Sequence, residues 1–180
     1  MCQLLYGLLL VPLGTGQPRA AIHPNCHLAP VSAATTLAAI RGRSAAARRA
    51  VRDFRRKVGS PYMCLYLKET AQSAEPICWL LVQQSATRFL RYTYRGQQVD
   101  SALITLTGGP AALASLPKGC YWPLCESIST SPVSRTLVVK QGNALRCGMS
   151  FEDDNSLSDY VIADQKRVAP VKNFIKLLNH

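Results

Sequence analysis

Histidine is scarce in this chain, and its few positions are as informative as its scarcity. His23 and His27 lie in a proline-spaced stretch, and His180 is the final residue. Nucleophile–histidine catalysis needs a base within hydrogen-bond reach of the Ser or Cys it activates. None of these three belongs to a segment with the pattern of a core strand or helix. Acids are also few, ten Asp and Glu against 21 Lys and Arg. The one acidic cluster, Glu152-Asp153-Asp154, continues into Asn155-Ser156 and reads as a solvated turn. It lacks the Gly and the closing Glu of an EF-hand loop. Gly14-Thr15-Gly16 has no third glycine and leads into no periodic helix, so no phosphate-cradling loop is present. There is no Asn-x-Ser/Thr sequon. These absences point to a non-enzymatic protein with no catalytic residues, no cofactor and no metal.

Long apolar runs are missing as well. Leu4 to Leu13 is apolar but interrupted by Gly7 and Pro12. It is too short to span a hydrocarbon core, which takes ~20 residues, so no transmembrane span is expected. It suits the apolar region of a secretory signal with a cleavage site at Gly14-Thr15-Gly16, although no basic residue precedes it. A buried strand or an apolar tail fits it equally.

What is present is enough to fold. Hydrophobic residues make up 48% of the 180, while charged residues, at 17%, fall below the usual ~25%. Disorder needs the opposite balance. The net charge of +11 is unevenly placed: up to Lys57 there are nine basic residues and one acid, Asp53, a net of +8. From Val58 onward, twelve basic residues against nine acids leave +3.

That asymmetry divides the chain into three. Residues 1–43 form an apolar and Pro-rich extension or targeting segment, with Pro18, Pro24 and Pro30 marking a linker and Ser32 to Ile40 a run that can turn helical. Residues 44–58 form an Arg-rich amphipathic helix, with Ser44 as its N-cap and Gly59 and Pro61 as its stop. Residues 59–180 form a β-rich globular domain. In the helix, Ala47, Val51, Phe54 and Val58 make a narrow apolar stripe, and Arg48, Arg49, Arg52, Arg55, Arg56 and Lys57 cover much of the rest.

The β-rich part reads as hairpins. Arg135 to Lys140 and Leu145 to Phe151 flank the turn pair Gly142-Asn143. Leu145, Cys147, Met149 and Phe151 alternate with Arg146, Gly148 and Ser150, the pattern of a strand with one buried face. A second hairpin runs from Phe89 to Leu106 about Gly96. Leu90, Tyr92 and Tyr94 share one of its faces, and Ala102, Ile104 and Leu106 offer an apolar match. Tyr62 to Leu67 and Ile77 to Val82, apolar on both faces, read as central strands. Gly108-Gly109-Pro110 and Pro117 to Pro132 read as loop with a short strand at Tyr121, and Tyr160 to Ala163 as a last edge strand. A closing helix starts at Pro170 with Val171, Phe174, Ile175 and Leu178 as its buried face. The expected fold class is α+β: an antiparallel sheet of about 5–8 strands, with a basic N-terminal helix and a short C-terminal helix packed on one face.

Of the seven cysteines, Cys64, Cys78 and Cys147 sit in apolar strand patterns and read as buried. Cys120 and Cys125 have the spacing of half a zinc site, for which His23, Cys26 and His27 are the weak candidates for the other half. Cleavage near Gly16 would leave six cysteines, a number that permits three disulfides.

The arginine helix carries the functional expectation. Arg41, Arg43, Arg48, Arg49, Arg52, Arg55, Arg56 and Lys57 are the candidate nucleic-acid-binding residues, contacting RNA or DNA phosphates without sequence specificity. Packaging and assembly roles, with protein partners or a homo-oligomer, fit the same pattern. The alternative is a targeted or secreted precursor. An acid-poor, Arg-rich N-terminal region resembles a transit peptide, and Arg52 to Lys57 a processing site; the rest would then be a β-rich interaction domain.

Overall fold

The computed structural model describes residues 26–70, 75–125, 133–152 and 157–179. The expectations for Leu4 to Leu13, Gly14 to Gly16, Pro18, His23, Pro24, Asp153, Asp154 and His180 lie outside them. In chain order the elements are β1 (Cys26–Val31), α1 (Ala33–Arg43), α2 (Ala45–Arg56), β2 (Tyr62–Thr70), β3 (Ile77–Gln83), β4 (Arg88–Arg95) and β5 (Gln98–Thr105). There follow α3 (Gly109–Ser115), β6 (Gly119–Cys125), β7 (Val133–Gln141), β8 (Ala144–Glu152) and, after a 3-10 turn at Leu157–Asp159, α4 (Ile162–Leu178).

The protein is α+β. The described strands form one mixed sheet in the order β1-β6-β8-β7-β2-β3-β4-β5, antiparallel throughout except where β6 meets β8. Its centre is built from the runs that are apolar on both faces, and the reason is that helices cover both faces. Met63, Leu65, Leu67, Leu80, Val82 and Val138 pack with Leu37 and Ile40 of α1 and with Val51 and Phe54 of α2. Cys64, Tyr66, Leu81, Leu137 and Val139 point the other way, into a core shared with Leu113 of α3 and with Val168, Val171, Phe174 and Leu178 of α4. The expectation of helices on a single face is therefore corrected, since a strand buried on both sides needs a cover on both sides.

Both hairpins form, turning at Gly96 (φ 51°) and Gly142 (φ 58°). Their faces differ from expectation in two ways. In the first hairpin Ile104 pairs with Phe89 and Ala102 with Arg91, so this apolar set faces α3, opposite Tyr92 and Tyr94. In the second, Lys140 pairs with Leu145 but Val139 with Cys147, which leaves Arg146 as the extra residue of a bulge. A bulge breaks period-two alternation. Leu145 thus joins the core under α2, whereas Cys147 and Met149 join the other. Gly148, expected on a wet face, is buried against α1: a Cβ there would stand 2.8 Å from Cys120 Sγ and 3.4 Å from Thr36 Cγ2.

Three further readings change at the sheet's outer edge and at the C-terminus. Residues 26–31, taken as linker, form β1, which pairs with β6 along its length; an edge strand tolerates Pro30. Gly109-Pro110 opens α3 instead of a loop. Tyr160 makes only an isolated bridge to Cys26, and α4 starts at Ile162, leaving Pro170 inside the helix. An interior proline costs a helix ~3 kcal/mol. Packing of Val168 and anchoring of Asp164 upstream of it offset that cost. Asp164 is buried, accepts from the Leu28 backbone N–H at 2.9 Å and pairs with Arg167 at 2.8 Å. A disulfide between Cys26 and Cys125 fastens β1 to β6.

Candidate functional site

Ser44 both ends α1 and starts α2. Its extended backbone (φ −159°, ψ 172°) breaks the helix, and its hydroxyl accepts the Ala47 N–H at 3.0 Å. The break lets α2 lay its stripe on the sheet. Ala47, Ala50, Val51 and Phe54 are buried, and only Val58, past the helix end, is left out at 68% exposure. Burying a Val or Phe side chain is worth ~1.5–3 kcal/mol, against ~0.2–1 kcal/mol for an exposed ion pair. The stripe, not the charges, therefore sets the orientation of α2, and the arginines are left to face outward.

Two polar contacts fix the seat. Asp53, the one acid of this region, turns to the sheet and accepts the Tyr94 hydroxyl proton at 2.9 Å. Burial and the neighbouring carboxylate both push the Tyr94 phenol upward, so it stays a donor. From β7, the buried Lys140 ammonium donates to the Phe54 carbonyl at 2.6 Å and to the Lys57 carbonyl, closing the C-terminus of α2. Cations are favoured at that end of a helix dipole. Burial lowers the Lys140 pKa from its ordinary value.

The eight candidate residues then separate into two groups. Three fasten the helical layer to the sheet. Arg43 pairs with Glu69 of β2 at 3.6 Å, and Arg49 donates to the backbone oxygen and side-chain Oε1 of Gln97, both at 2.6 Å. Lys57 donates to the Tyr92 hydroxyl at 3.2 Å, with its ammonium 4.4 Å from the ring centre. The other five, Arg41, Arg48, Arg52, Arg55 and Arg56, are exposed and surround one open hollow of about 380 Å³ floored by Val51. Arg52 lies 4.0 Å from Asp53, at the limit of an ion pair. Arg41, Arg48, Arg55 and Arg56 have no hydrogen-bond or ion-pair partner among the described residues. Guanidinium groups gathered with a single carboxylate at the limit of reach form a surface suited to oxyanions, which they bind through planar, bidentate donor pairs.

The cysteines offer less chemistry. Cys125 is held in the disulfide with Cys26, which corrects the zinc pairing considered for Cys120 and Cys125. No group of three or more metal-ligating side chains occurs among the described residues. The three-disulfide arrangement is corrected too, because Cys64, Cys78, Cys120 and Cys147 are buried free thiols. Burial pushes Cys78 and Cys147 up to about 12 and Cys64 higher still, so none is a ready thiolate. No helix among the described residues is long and apolar enough to cross a membrane.

Sequence reasoning missed the roles of Lys140, Tyr94 and Tyr92. The one linear signal was Lys140 itself, a charge closing the apolar run Leu137-Val138-Val139. In comparisons with known proteins, no family model, curated protein or solved structure matches the chain.

Proposed function

We propose that this is a non-enzymatic binding or structural protein that grips nucleic-acid phosphates, RNA foremost, through the exposed arginine face of α2 and the end of α1. One observation carries the reading: Arg41, Arg48, Arg52, Arg55 and Arg56 share a hollow, while Asp53, the acid of α2, is engaged by Tyr94 and reaches Arg52 only at 4.0 Å. A structural ion-pair network would have used its acids against these arginines. Each neutralised phosphate releases counterions, so five contacts imply a slope of log K against log salt of about −3.5 on single strands and about −4.5 on duplex. Anisotropy of a labelled RNA, titrated across salt concentrations, tests this. The triple change Arg48→Glu, Arg52→Glu, Arg55→Glu is expected to abolish binding, and unchanged affinity in that variant refutes the reading.

A second reading has one observation in its favour. The Cys26–Cys125 disulfide suits an oxidising compartment, and with it a secreted or processed chain. Processing near Gln17 would leave every described residue in the chain. A cut near Val58 would leave residues 26–57 tethered through Cys26–Cys125, and only their release on reduction would bare Met63, Leu65, Leu67, Leu80 and Val82. Intact mass of the natural protein, with and without reduction, separates the two readings.

A further inference from the structure

Tyr92 is the residue that the phosphate reading leaves unexplained. Tyr94, two positions on, is fully buried, but Tyr92 on the same face of β4 is only half-buried. It opens into a second hollow of about 460 Å³, lined also by Asp53, Arg56, Lys57, Tyr94 and Val99. That volume lies within the ~300–1,000 Å³ of small-ligand sites. The hollow has two apolar walls, the Tyr92 ring and Val99, with a carboxylate and two cations converging on it. Arg56 lines this hollow and the arginine hollow alike, so the two adjoin.

We infer that this second hollow receives a nucleobase, stacked on Tyr92, while its phosphate lies among the arginines next door; the ligand class is therefore a single-stranded nucleic acid. The inference rests on the phosphate-binding reading and goes beyond it. A duplex keeps its bases stacked inside, whereas a single strand can offer a free base to an aromatic ring. In the free protein the Lys57 ammonium covers the Tyr92 ring at 4.4 Å, held there by a cation–π contact and a 3.2 Å hydrogen bond. A flexible lysine stem can yield that place to a base. Asp53 offers an acceptor for a base N–H: its Oδ2 takes the Tyr94 proton, and among the described residues its Oδ1 has only Arg52 at 4.0 Å. The basic and aromatic groups that single-strand binding requires thus meet across α2 and β4, although they alternate to opposite faces along β4 itself.

The test is anisotropy with labelled oligoadenylate and with an RNA duplex of equal length, on the full chain. Tyr92→Ser is expected to weaken oligoadenylate binding roughly 5- to 150-fold, the worth of one stacked base. The salt slope and duplex binding should hold, and Tyr92→Phe, which keeps the ring, should recover most of the loss. Ultraviolet crosslinking of the unaltered protein to oligoadenylate, which is independent of any folding defect in a variant, should map to Tyr92. If Tyr92→Ser binds oligoadenylate as the unaltered protein does and crosslinks fall only elsewhere, the base site is refuted. Loss of binding in the arginine triple variant would then still uphold the phosphate reading. If the unaltered protein binds neither RNA, both fall together.

Discussion

Lys140 shows how one side chain can decide whether a functional helix stays in place. It donates to the carbonyls of Phe54 and Lys57, 86 and 83 positions away along the chain, and its ammonium lies 5.1 Å from the centre of the Phe54 ring. Replacement by Met keeps the bulk but leaves two carbonyls at the helix end without their donor. A buried acceptor left unmade costs about 1–3 kcal/mol, so Lys140→Met should lower the unfolding free energy by that amount, read as a lower urea midpoint with an unchanged slope. A shift within error would mean that water serves those carbonyls equally well. Gly148→Ala should cost a similar ~1–3 kcal/mol, since the new methyl meets Cys120 Sγ at 2.8 Å in a packed interior. Contacts of this kind were not legible in the sequence. A lysine closing an apolar strand is visible, but its partner on another element is not.

At the scale of elements, α2 separates stability from function across its own circumference. Phe54 is buried, and Phe54→Ala should cost about 3–5 kcal/mol. Arg48→Glu on the outer face should change the unfolding free energy by no more than ~0.5 kcal/mol while lowering affinity for RNA. Thermal unfolding and anisotropy on the same two variants check this division, and a large stability loss from Arg48→Glu would contradict it. This element was the most legible, because cap, stripe and stop all agreed. The central strands and both hairpin turns were legible for the same reason. β1 was not, since Pro30 argues locally for a linker and only pairing with β6 overrides it. The start of α4 was hidden by Pro170, whose cost is met by packing that local sequence does not display. The bulge at Arg146 was hidden because an alternating pattern carries no mark of an inserted residue.

For the molecule as a whole, two constraints act on the unfolded state. The Cys26–Cys125 bridge joins residues 99 apart, and closing a loop of that size is worth up to ~5 kcal/mol in chain entropy. Reduction, or Cys125→Ser, should lower stability by about 2–5 kcal/mol and release β1 from the sheet edge first, seen as faster hydrogen exchange over 26–31. Slow exchange there after reduction would assign the hold to Asp164 instead. The buried thiols set the alkaline limit. Unfolded Cys ionises near 9.0, whereas folded Cys78 and Cys147 hold their protons to about 12. The unfolded chain therefore sheds protons first, and stability should fall between pH 9 and 12 by ~1.4 kcal/mol per pH unit for each such thiol. Lys140, with its pKa lowered from the ordinary 10.5, works the opposite way only as pH rises toward that value and as a single group, so the net loss should remain. A flat denaturation profile from pH 8 to 11 would contradict this account.

The fold class followed from strand pattern and charge asymmetry, while the layering did not. Nothing in a single apolar strand tells which helix covers which face. The same limit applied to the site: eight basic residues were legible as a group, but only their packing separates the five that line a hollow from the three that fasten α1 and α2 to the sheet. The most direct measurement of the central claim is the salt dependence of RNA binding for the unaltered chain beside the Arg48→Glu, Arg52→Glu, Arg55→Glu variant. A steep slope, about −3.5 on single strands, is expected for the unaltered chain and no measurable binding for the variant. Equal affinities and equal slopes for the two proteins would contradict it.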